Sequence, residues 1–311
     1  MGEDSYAAIL DDAERARWSL AEATARLADL DFELPFLPEA LVHGERLPFL
    51  TARERVVLSQ IRGHAYLRIF ALAKKFILPF VMTQAANCLY GDSEELLALM
   101  GFGQEEAKHA TLFDRFSTAF GRGFDTVCEV VGPAEDIAAK VLLNHKLAVG
   151  LAVAHFELMS QSHYVRAARS DATIDQGFQE LLRLHWREEC QHVRLDALIL
   201  KRLAAQCSPY ERERAVQQYL DLLDDLAGVL RDQVDLDLEA FERSARPLTD
   251  GERETWRHEQ ARSYDDVYIR QGLDHAVFRS TIAAHFGGPF AALDEAARRF
   301  ASSAASVFPS R

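Results

Sequence analysis

Glu105-Glu106-Ala107-Lys108-His109 and Glu188-Glu189-Cys190-Gln191-His192 are two copies of one pattern in this chain of 311 residues. Residues three apart share one face of an α-helix, so Glu106 can bind a metal beside His109, and Glu189 beside His192. One carboxylate and one imidazole from each of two helices make a donor set that suits iron or manganese. The repeated pattern therefore predicts a metal site inside a bundle of helices.

A second carboxylate stands directly before each candidate ligand, at Glu105 and Glu188. A carboxylate next to a metal site can accept the ring proton of a ligating histidine and fix its tautomer. The alternative is a solvated acidic helix face, but that would not explain why the same pattern occurs twice. We therefore predict that Glu105 and Glu188 contact the ligating histidines rather than the metal.

Two residues outside the motifs extend the candidate site. Glu157 stands among apolar residues, where an unpaired carboxylate is costly unless it is protonated or binds a cation. His185 lies four residues before Glu189 and seven before His192, so the three share a helical face. We predict that Glu157 and His185 are ligands; for His185 the alternative is a capping or core histidine bonded to the backbone.

The pattern breaks at Lys74, in the first predicted bundle helix. A two-metal bundle takes one Glu from each of the two helices that lack the Glu-x-x-His motif. The interval from Glu157 to Glu189 is 32 residues, and the same interval before Glu106 falls on Lys74. Apolar neighbours on its helical face predict that Lys74 points inward, whereas Lys75 points outward.

Several arrangements remain open for Lys74. The site would hold one metal, or two with lysine or water in the gap, or the lysine ammonium would replace a metal. In a further alternative both lysines face solvent and water completes the site. The ligands of the one-metal case would be Glu157, Glu189, His192 and, as an optional fourth, His185.

With these motifs the sequence resembles the ferritin-like di-iron carboxylate superfamily, and within it the p-aminobenzoate N-oxygenase type, whose last bundle helix carries the same extra histidine. The resemblance covers about residues 51–206. It implies an all-α, ferritin-like four-helix bundle that activates O2 at an iron centre, with Glu106 and Glu189 as candidates to bridge the metals. Two Fe ions are expected, or one if the first site is lost, with Mn as a possible replacement.

The implied function is an oxygenase or oxidase that oxidises a small organic substrate with O2 and an electron donor, and Lys74 is the candidate catalytic side chain. Small residues at Gly150, Ala154 and Ser160 would leave room for the substrate. A different class of function is a degenerate scaffold or binding protein in which Lys74 replaces a ligand or a metal. Iron storage is a third alternative, which the long C-terminal extension disfavours. Tyr164 is either a redox tyrosine or a core residue.

Start and stop signals divide the chain into an N-terminal helix and Pro-rich arm (1–50), the metal-binding bundle (51–206), and a C-terminal helical extension packed on it (207–311), all within one domain. Bundle helices are predicted at about 51–90, 92–120, 133–169 and 174–206. Outside the bundle, helices are predicted at about 6–30, 209–236, 252–272, 275–286 and 289–302.

Composition and charge restrict the partners that the protein is expected to bind and the cellular compartment in which it is expected to act. The net charge is −13, which disfavours binding to nucleic acid or to an anionic membrane surface. No apolar run approaches the roughly 20 residues of a membrane span, and the first residues do not form a secretory signal. Four scattered cysteines indicate a reducing cytoplasm. Long exposed helices make a homodimer possible.

Overall fold

A computed structural model of the protein describes residues 5–27, 30–287 and 290–302, and over these ranges the chain forms helices and no strands. Short turns of 3-10 helix (Gly44–Arg46) and π-helix (Tyr164–Ala168 and Asp266–Arg270) connect some of the α-helices. In chain order the helices are α1 (Tyr6–Ala16), α2 (Leu20–Arg26), α3 (Glu39–Val42), α4 (Ala52–Asn87), α5 (Ser93–Gly123), α6 (Ala134–Leu142), α7 (Lys146–His163), α8 (Gln176–Ala205), α9 (Pro209–Ser244), α10 (Asp250–Asp265), α11 (Gln271–Leu273), α12 (Ala276–Phe286) and α13 (Phe290–Ser302).

Side-chain caps begin the long helices where the sequence indicated. The Thr51 hydroxyl accepts from the backbone N–H of Glu54, whose carboxylate accepts in return from the N–H of Thr51. Ser208 begins α9 with the same reciprocal pair of bonds. Asp92 caps α5 by accepting from two backbone N–H groups. Each cap satisfies donors that the first turn of a helix leaves unpaired.

Helices α4, α5, α8 and α7 form a closed bundle, since each packs against the next and α7 returns to α4. Helix α9 lies against α4 and α7, and α1 lies against α5 and α8. The inner faces are apolar and nearly fully buried apart from the polar cluster described below. The predicted all-α four-helix bundle, with a preceding arm and additional C-terminal helices, is confirmed.

Two predicted helices are wrong as continuous elements. The third bundle helix was expected over 133–169, but it divides into α6 and α7 because Asn144 bonds back to the carbonyls of Lys140 and Val141 while His145 caps α7. The helix expected over 6–30 divides into α1 and α2, because Ser19 and Glu22 form a capping box that begins a new helix. Local side-chain bonds override the apolar pattern at both points.

None of the helices in the described ranges has the length and hydropathy needed to cross a membrane.

Candidate metal centre

Lys74 lies in the middle of the bundle, among three carboxylates. Its side chain is 3 % exposed, and Nζ lies 3.0 Å from Oε1 of Glu106, 3.1 Å from Oε1 of Glu189 and 3.3 Å from Oε1 of Glu157. An ammonium group has three hydrogens to donate, so each can reach one carboxylate. Lys75 points away from the bundle, with its side chain 52 % exposed.

The two motif histidines turn the same ring nitrogen toward this cluster. Nδ1 of His109 lies 3.2 Å from Oε1 of Glu106 and 3.3 Å from Oε1 of Glu189. Nδ1 of His192 lies 3.1 Å from Oε2 of Glu189 and 3.4 Å from Oε1 of Glu106. One ligand atom from each of these four buried residues lies within 4.8 Å of the other three. The spacing of the Glu-x-x-His motifs therefore brings two carboxylates and two imidazoles to one point.

The outer nitrogens of the histidines are held by carboxylates from the opposite helix. Nε2 of His109 lies 2.9 Å from Oε2 of Glu188, and Nε2 of His192 lies 2.9 Å from Oε2 of Glu105. A carboxylate accepts hydrogen bonds, so each Nε2 carries a hydrogen and a neutral ring has its lone pair on the inward Nδ1. We call these four residues the crossed pairs; their pattern suits imidazoles that bind a metal through Nδ1.

His185 and Glu157 border the same cluster. Nε2 of His185 lies 2.5 Å from Oε1 of Glu189, but the two atoms do not form a well-directed hydrogen bond. Oε2 of Glu106, Oε2 of Glu157 and Nε2 of His185 are buried without a hydrogen-bond partner. Buried polar atoms are almost always satisfied in folded proteins. Three unsatisfied atoms on residues in or beside this cluster fit a bound cation.

The electrostatics of the cluster indicate a shortage of positive charge. Burial lowers the pKa of His109, but the carboxylates of Glu106, Glu188 and Glu189 outweigh it and raise the pKa to about 9. Burial likewise opposes protonation of His192 and Lys74, yet the neighbouring carboxylates raise the pKa of both. Each group is drawn to its cationic form because, with both imidazoles neutral, the charge of Lys74 does not balance those of Glu106, Glu157 and Glu189. A divalent metal would meet the same demand and leave both imidazoles neutral.

Two side chains that the sequence analysis did not single out cover this site from outside the bundle. Lys108 is paired with Glu188, and its Nζ lies 4.1 Å from the centroid of the Trp18 ring. The Trp18 ring stacks on His109, with centroids 6.0 Å apart. Trp18 lies between α1 and α2, so the N-terminal arm closes the site. The position of Lys108 near the site could have been predicted, because Lys108 stands within one of the two motifs. No pattern near Trp18 in the sequence indicated that its ring would cover the site.

Gly150, one of the small residues expected to leave room for a substrate, lies in a closely packed region. A Cβ atom at Gly150 would lie 3.1 Å from Leu200 and 3.2 Å from Phe80, so this glycine allows close helix packing. An apolar cavity of about 200 Å³ lies instead where α4, α6, α7 and α9 meet. Its lining includes Ile69, Leu72, Phe76, Ala152, Phe156 and Leu226.

No family model matches the sequence, and no curated protein is similar to it at a significant level. Among solved structures, an R2-like ligand-binding oxidase variant with a Mn/Fe cofactor aligns over 86 % of this chain and 93 % of its own, with 15 % identity and a TM-score of 0.46. A second variant of that oxidase, with an Fe/Fe cofactor, aligns over 92 % of each chain, with 16 % identity and a TM-score of 0.45. These values assign neither a family nor an activity to this chain, and the p-aminobenzoate N-oxygenase type stays a prediction.

Proposed function

We propose that the protein is a metal-dependent oxidoreductase that activates O2 and oxidises a small organic substrate at the centre of the bundle. The observation that carries the proposal is the pair of buried imidazoles, His109 and His192. Each is fixed through Nε2 by an outer carboxylate, and each directs Nδ1 at carboxylate oxygens of Glu106 and Glu189. Carboxylate and imidazole donors together suit iron, with manganese as the alternative.

A count of charges favours one divalent ion per chain. Glu106, Glu157 and Glu189 carry three negative charges in a site that is at most 1 % exposed. The ammonium of Lys74 balances one of them, and one divalent ion balances the other two. Two divalent ions beside the ammonium would leave excess positive charge in a buried site, which is strongly unfavourable. We assign the ion to Glu106, His109, Glu189 and His192, and leave Glu157 to Lys74.

The chain's own residues then have distinct tasks. The bound metal would supply the redox chemistry with O2. Lys74 would hold the three carboxylates in position through its N–H groups and keep a fixed positive charge beside the reacting groups. The bundle and the arm exclude water, because Glu106, His109, Glu189 and His192 are all 0 % exposed.

The substrate is proposed to be small and mainly apolar. Phe156 lines the cavity between α4, α6, α7 and α9, and its ring lies 6.0 Å from that of Phe70, which in turn lies 5.8 Å from His185. An electron donor and O2 complete the reaction. A cytoplasmic location is a further part of the proposal, since the four cysteines of the sequence are free. The homodimer stays a prediction from the sequence.

A scaffold function is the second candidate, and a specific observation favours it. Nζ of Lys74 already lies within 3.3 Å of all three carboxylates. With both imidazoles protonated, three cations would balance three carboxylates without any metal. In that case the cluster would hold the four helices together and perform no redox chemistry.

The deciding experiment is the metal content of the protein after anaerobic loading with Fe(II) or Mn(II), followed by exposure to O2. One ion per chain, located by anomalous scattering among Glu106, His109, Glu189 and His192, with O2 uptake by the iron form, is the expected result. Two ions per chain would contradict the charge count and indicate a di-metal centre in which Lys74 or water completes the ligands. No bound metal under these conditions would overturn the oxidoreductase proposal and favour the scaffold.

Glu188→Gln is expected to weaken metal binding by about 10- to 100-fold, the usual effect of losing an outer carboxylate that orients a ligating histidine. The amide keeps the size of Glu188 but removes the charge that holds the Nε2 hydrogen of His109. The dissociation constant for Fe(II) or Mn(II), measured anaerobically by competition with a chelator, checks this. Glu180→Gln is the control, because Glu180 lies on the same helix and forms a partly exposed ion pair with Arg183, outside the metal cluster. Equal metal affinities of the Glu188→Gln and Glu180→Gln proteins would show that Glu188 does not orient a metal ligand.

A further inference from the structure

The cavity between α4, α6, α7 and α9 has the size and the walls to hold a single ring. Its volume is about 200 Å³, and an apolar cavity of roughly 150 Å³ already binds benzene. The rings of Phe76 and Phe156 both line it, edge to face, with their centroids 5.9 Å apart. Aromatic rings favour this kind of contact. A ligand with one aromatic ring and a short side arm therefore fits.

Three polar side chains line this cavity, and two of them are available to a ligand. Both ring nitrogens of His155 are already bonded, Nδ1 to the hydroxyl of Tyr219 and Nε2 to the carbonyl oxygen of Tyr268. Lys140 and Asp225 line the cavity and are exposed. Neither of them forms an ion pair within the part of the chain that the structure describes. They therefore place one positive and one negative charge where the cavity meets solvent.

Helix geometry fixes the position of both charges. Residues three and four apart share one face of a helix. On α6, Lys140 has this spacing from the lining residue Ile137, and on α9, Asp225 has it from the lining residues Leu222 and Val229. Each charged side chain therefore begins on the face of its helix that forms the cavity wall, and not on a loop whose direction could vary.

A buried amide, Gln233 on α9, attaches the two walls to each other. This side chain is 0 % exposed. Its Oε1 accepts from the backbone N–H of Val131, a lining residue, at 3.0 Å, and its Nε2 donates to the carbonyl oxygen of Glu129 at 3.2 Å and to Oδ1 of Asp237 at 2.8 Å. The segment that leads into α6 is thereby bonded to α9. The opening between Lys140 and Asp225 consequently keeps its shape.

Charge decides which ligand suits this opening. A simple carboxylate would pair with Lys140 but face Asp225, and a protein with a net charge of −13 also repels anions at longer range. A simple amine would pair with Asp225 but face Lys140. A ligand that carries an ammonium and a carboxylate on neighbouring atoms meets both side chains and has no net charge.

We propose that the cavity binds a ring-bearing α-amino acid as its zwitterion, with the carboxylate at Lys140, the ammonium at Asp225 and the ring against Phe76 and Phe156. The ring of Phe156 lies 6.0 Å from that of Phe70, which lies 5.8 Å from that of His185. The ring end of the ligand is thus the end nearer the metal centre. This names the substrate class of the proposed function and rests on that function for the fate of the ligand, whereas binding itself needs neither metal nor O2.

The test is isothermal titration calorimetry of the full chain, metal-free and metal-loaded, with three ligands that share one ring: L-phenylalanine, 3-phenylpropionate and 2-phenylethylamine. The native chain is expected to bind L-phenylalanine at least about fivefold more tightly than either ligand with a single charge. Lys140→Gln is expected to remove the preference over 2-phenylethylamine, and Asp225→Asn the preference over 3-phenylpropionate. Lys75→Gln and Asp221→Asn are the controls, because they neutralise exposed charges outside the cavity lining. Both are expected to keep both preferences.

Ala152→Leu tests whether the ligand lies inside the cavity. Ala152 lines the cavity from α7 and is 6 % exposed, so a larger side chain there occupies the space of the ring. Binding of all three ligands is expected to weaken by about tenfold or more, while the metal content stays unchanged and shows that the bundle has folded. Undiminished binding of L-phenylalanine to this variant would place the ligand outside the cavity and overturn the inference.

The same titrations separate this inference from the proposed function. A native chain that binds iron and takes up O2 but binds the three ligands equally, or binds none of them, keeps the oxidoreductase proposal and rejects the amino-acid site. A chain that selects L-phenylalanine but binds no metal keeps the site and rejects the oxidoreductase. Tightest binding of 3-phenylpropionate or of p-aminobenzoate, whose uncharged amine lies at the far end of the ring, would also overturn the inference.

Discussion

Lys74→Glu is expected to raise the metal content from one to two divalent ions per chain. The substitution removes the ammonium that lies 3.0–3.3 Å from three carboxylates and adds a fourth carboxylate at that position. Four buried carboxylates require four positive charges, which two divalent ions supply. The expected ligand set is then the one that di-metal bundles share, with one Glu from each of the two helices that lack the motif.

Metal analysis after anaerobic Fe(II) loading, with anomalous scattering to count the sites, measures this change. Lys75→Glu is the matched control, because it makes the same change of charge one residue away on a side chain that is 52 % exposed. That variant is expected to keep one ion. A Lys74→Glu protein that still holds one ion would show that geometry, and not charge, limits the native site.

Glu189→Gln is expected to abolish metal binding and to lower the free energy of unfolding of the metal-free protein by about 3–5 kcal/mol, the usual effect of removing one partner from a buried ion pair. Glu189 is the centre of the cluster. Its carboxylate lies 3.1 Å from Nζ of Lys74 and from Nδ1 of His192, and 3.3 Å from Nδ1 of His109. The neutral amide would leave Lys74 with fewer negative partners in a buried site.

Urea denaturation of both proteins in the presence of a chelator measures the difference in unfolding free energy. Glu180→Gln, on the same helix, is expected to change it by less than about 1 kcal/mol, because its pair with Arg183 is partly exposed. A Glu189→Gln protein as stable as the native one would mean that the cluster makes no net contribution to stability without a metal.

The parts of the site that depend on neighbours along one helix could be predicted from the sequence. Glu106 and His109 are three residues apart and meet for that reason. The inward position of Lys74 followed from the apolar residues on its face of α4. The bundle itself followed from the two motif helices and from the resemblance that they carry, although the third bundle helix is interrupted before α7.

Contacts between distant parts of the chain could not be predicted in this way. The stacking of Trp18 on His109 depends on how the arm crosses the bundle, and no local pattern records that. The bond between Tyr66 and His163 joins residues 97 positions apart. Apolar periodicity also cannot detect the break before α7, because His145 acts there through a single side-chain bond to the backbone.

The crossed pairs link formation of the metal site to closure of the bundle. Neither motif helix holds the outer nitrogen of its own imidazole, since Glu188 on α8 bonds to Nε2 of His109 on α5 and Glu105 on α5 bonds to Nε2 of His192 on α8. A slip of one helix past the other by a single turn, about 5.4 Å, would separate both pairs at once. A partly folded chain would therefore present histidines without a fixed tautomer, and an ion would bind only after the two motif helices have docked in register. Only the correctly closed bundle can therefore form the complete site.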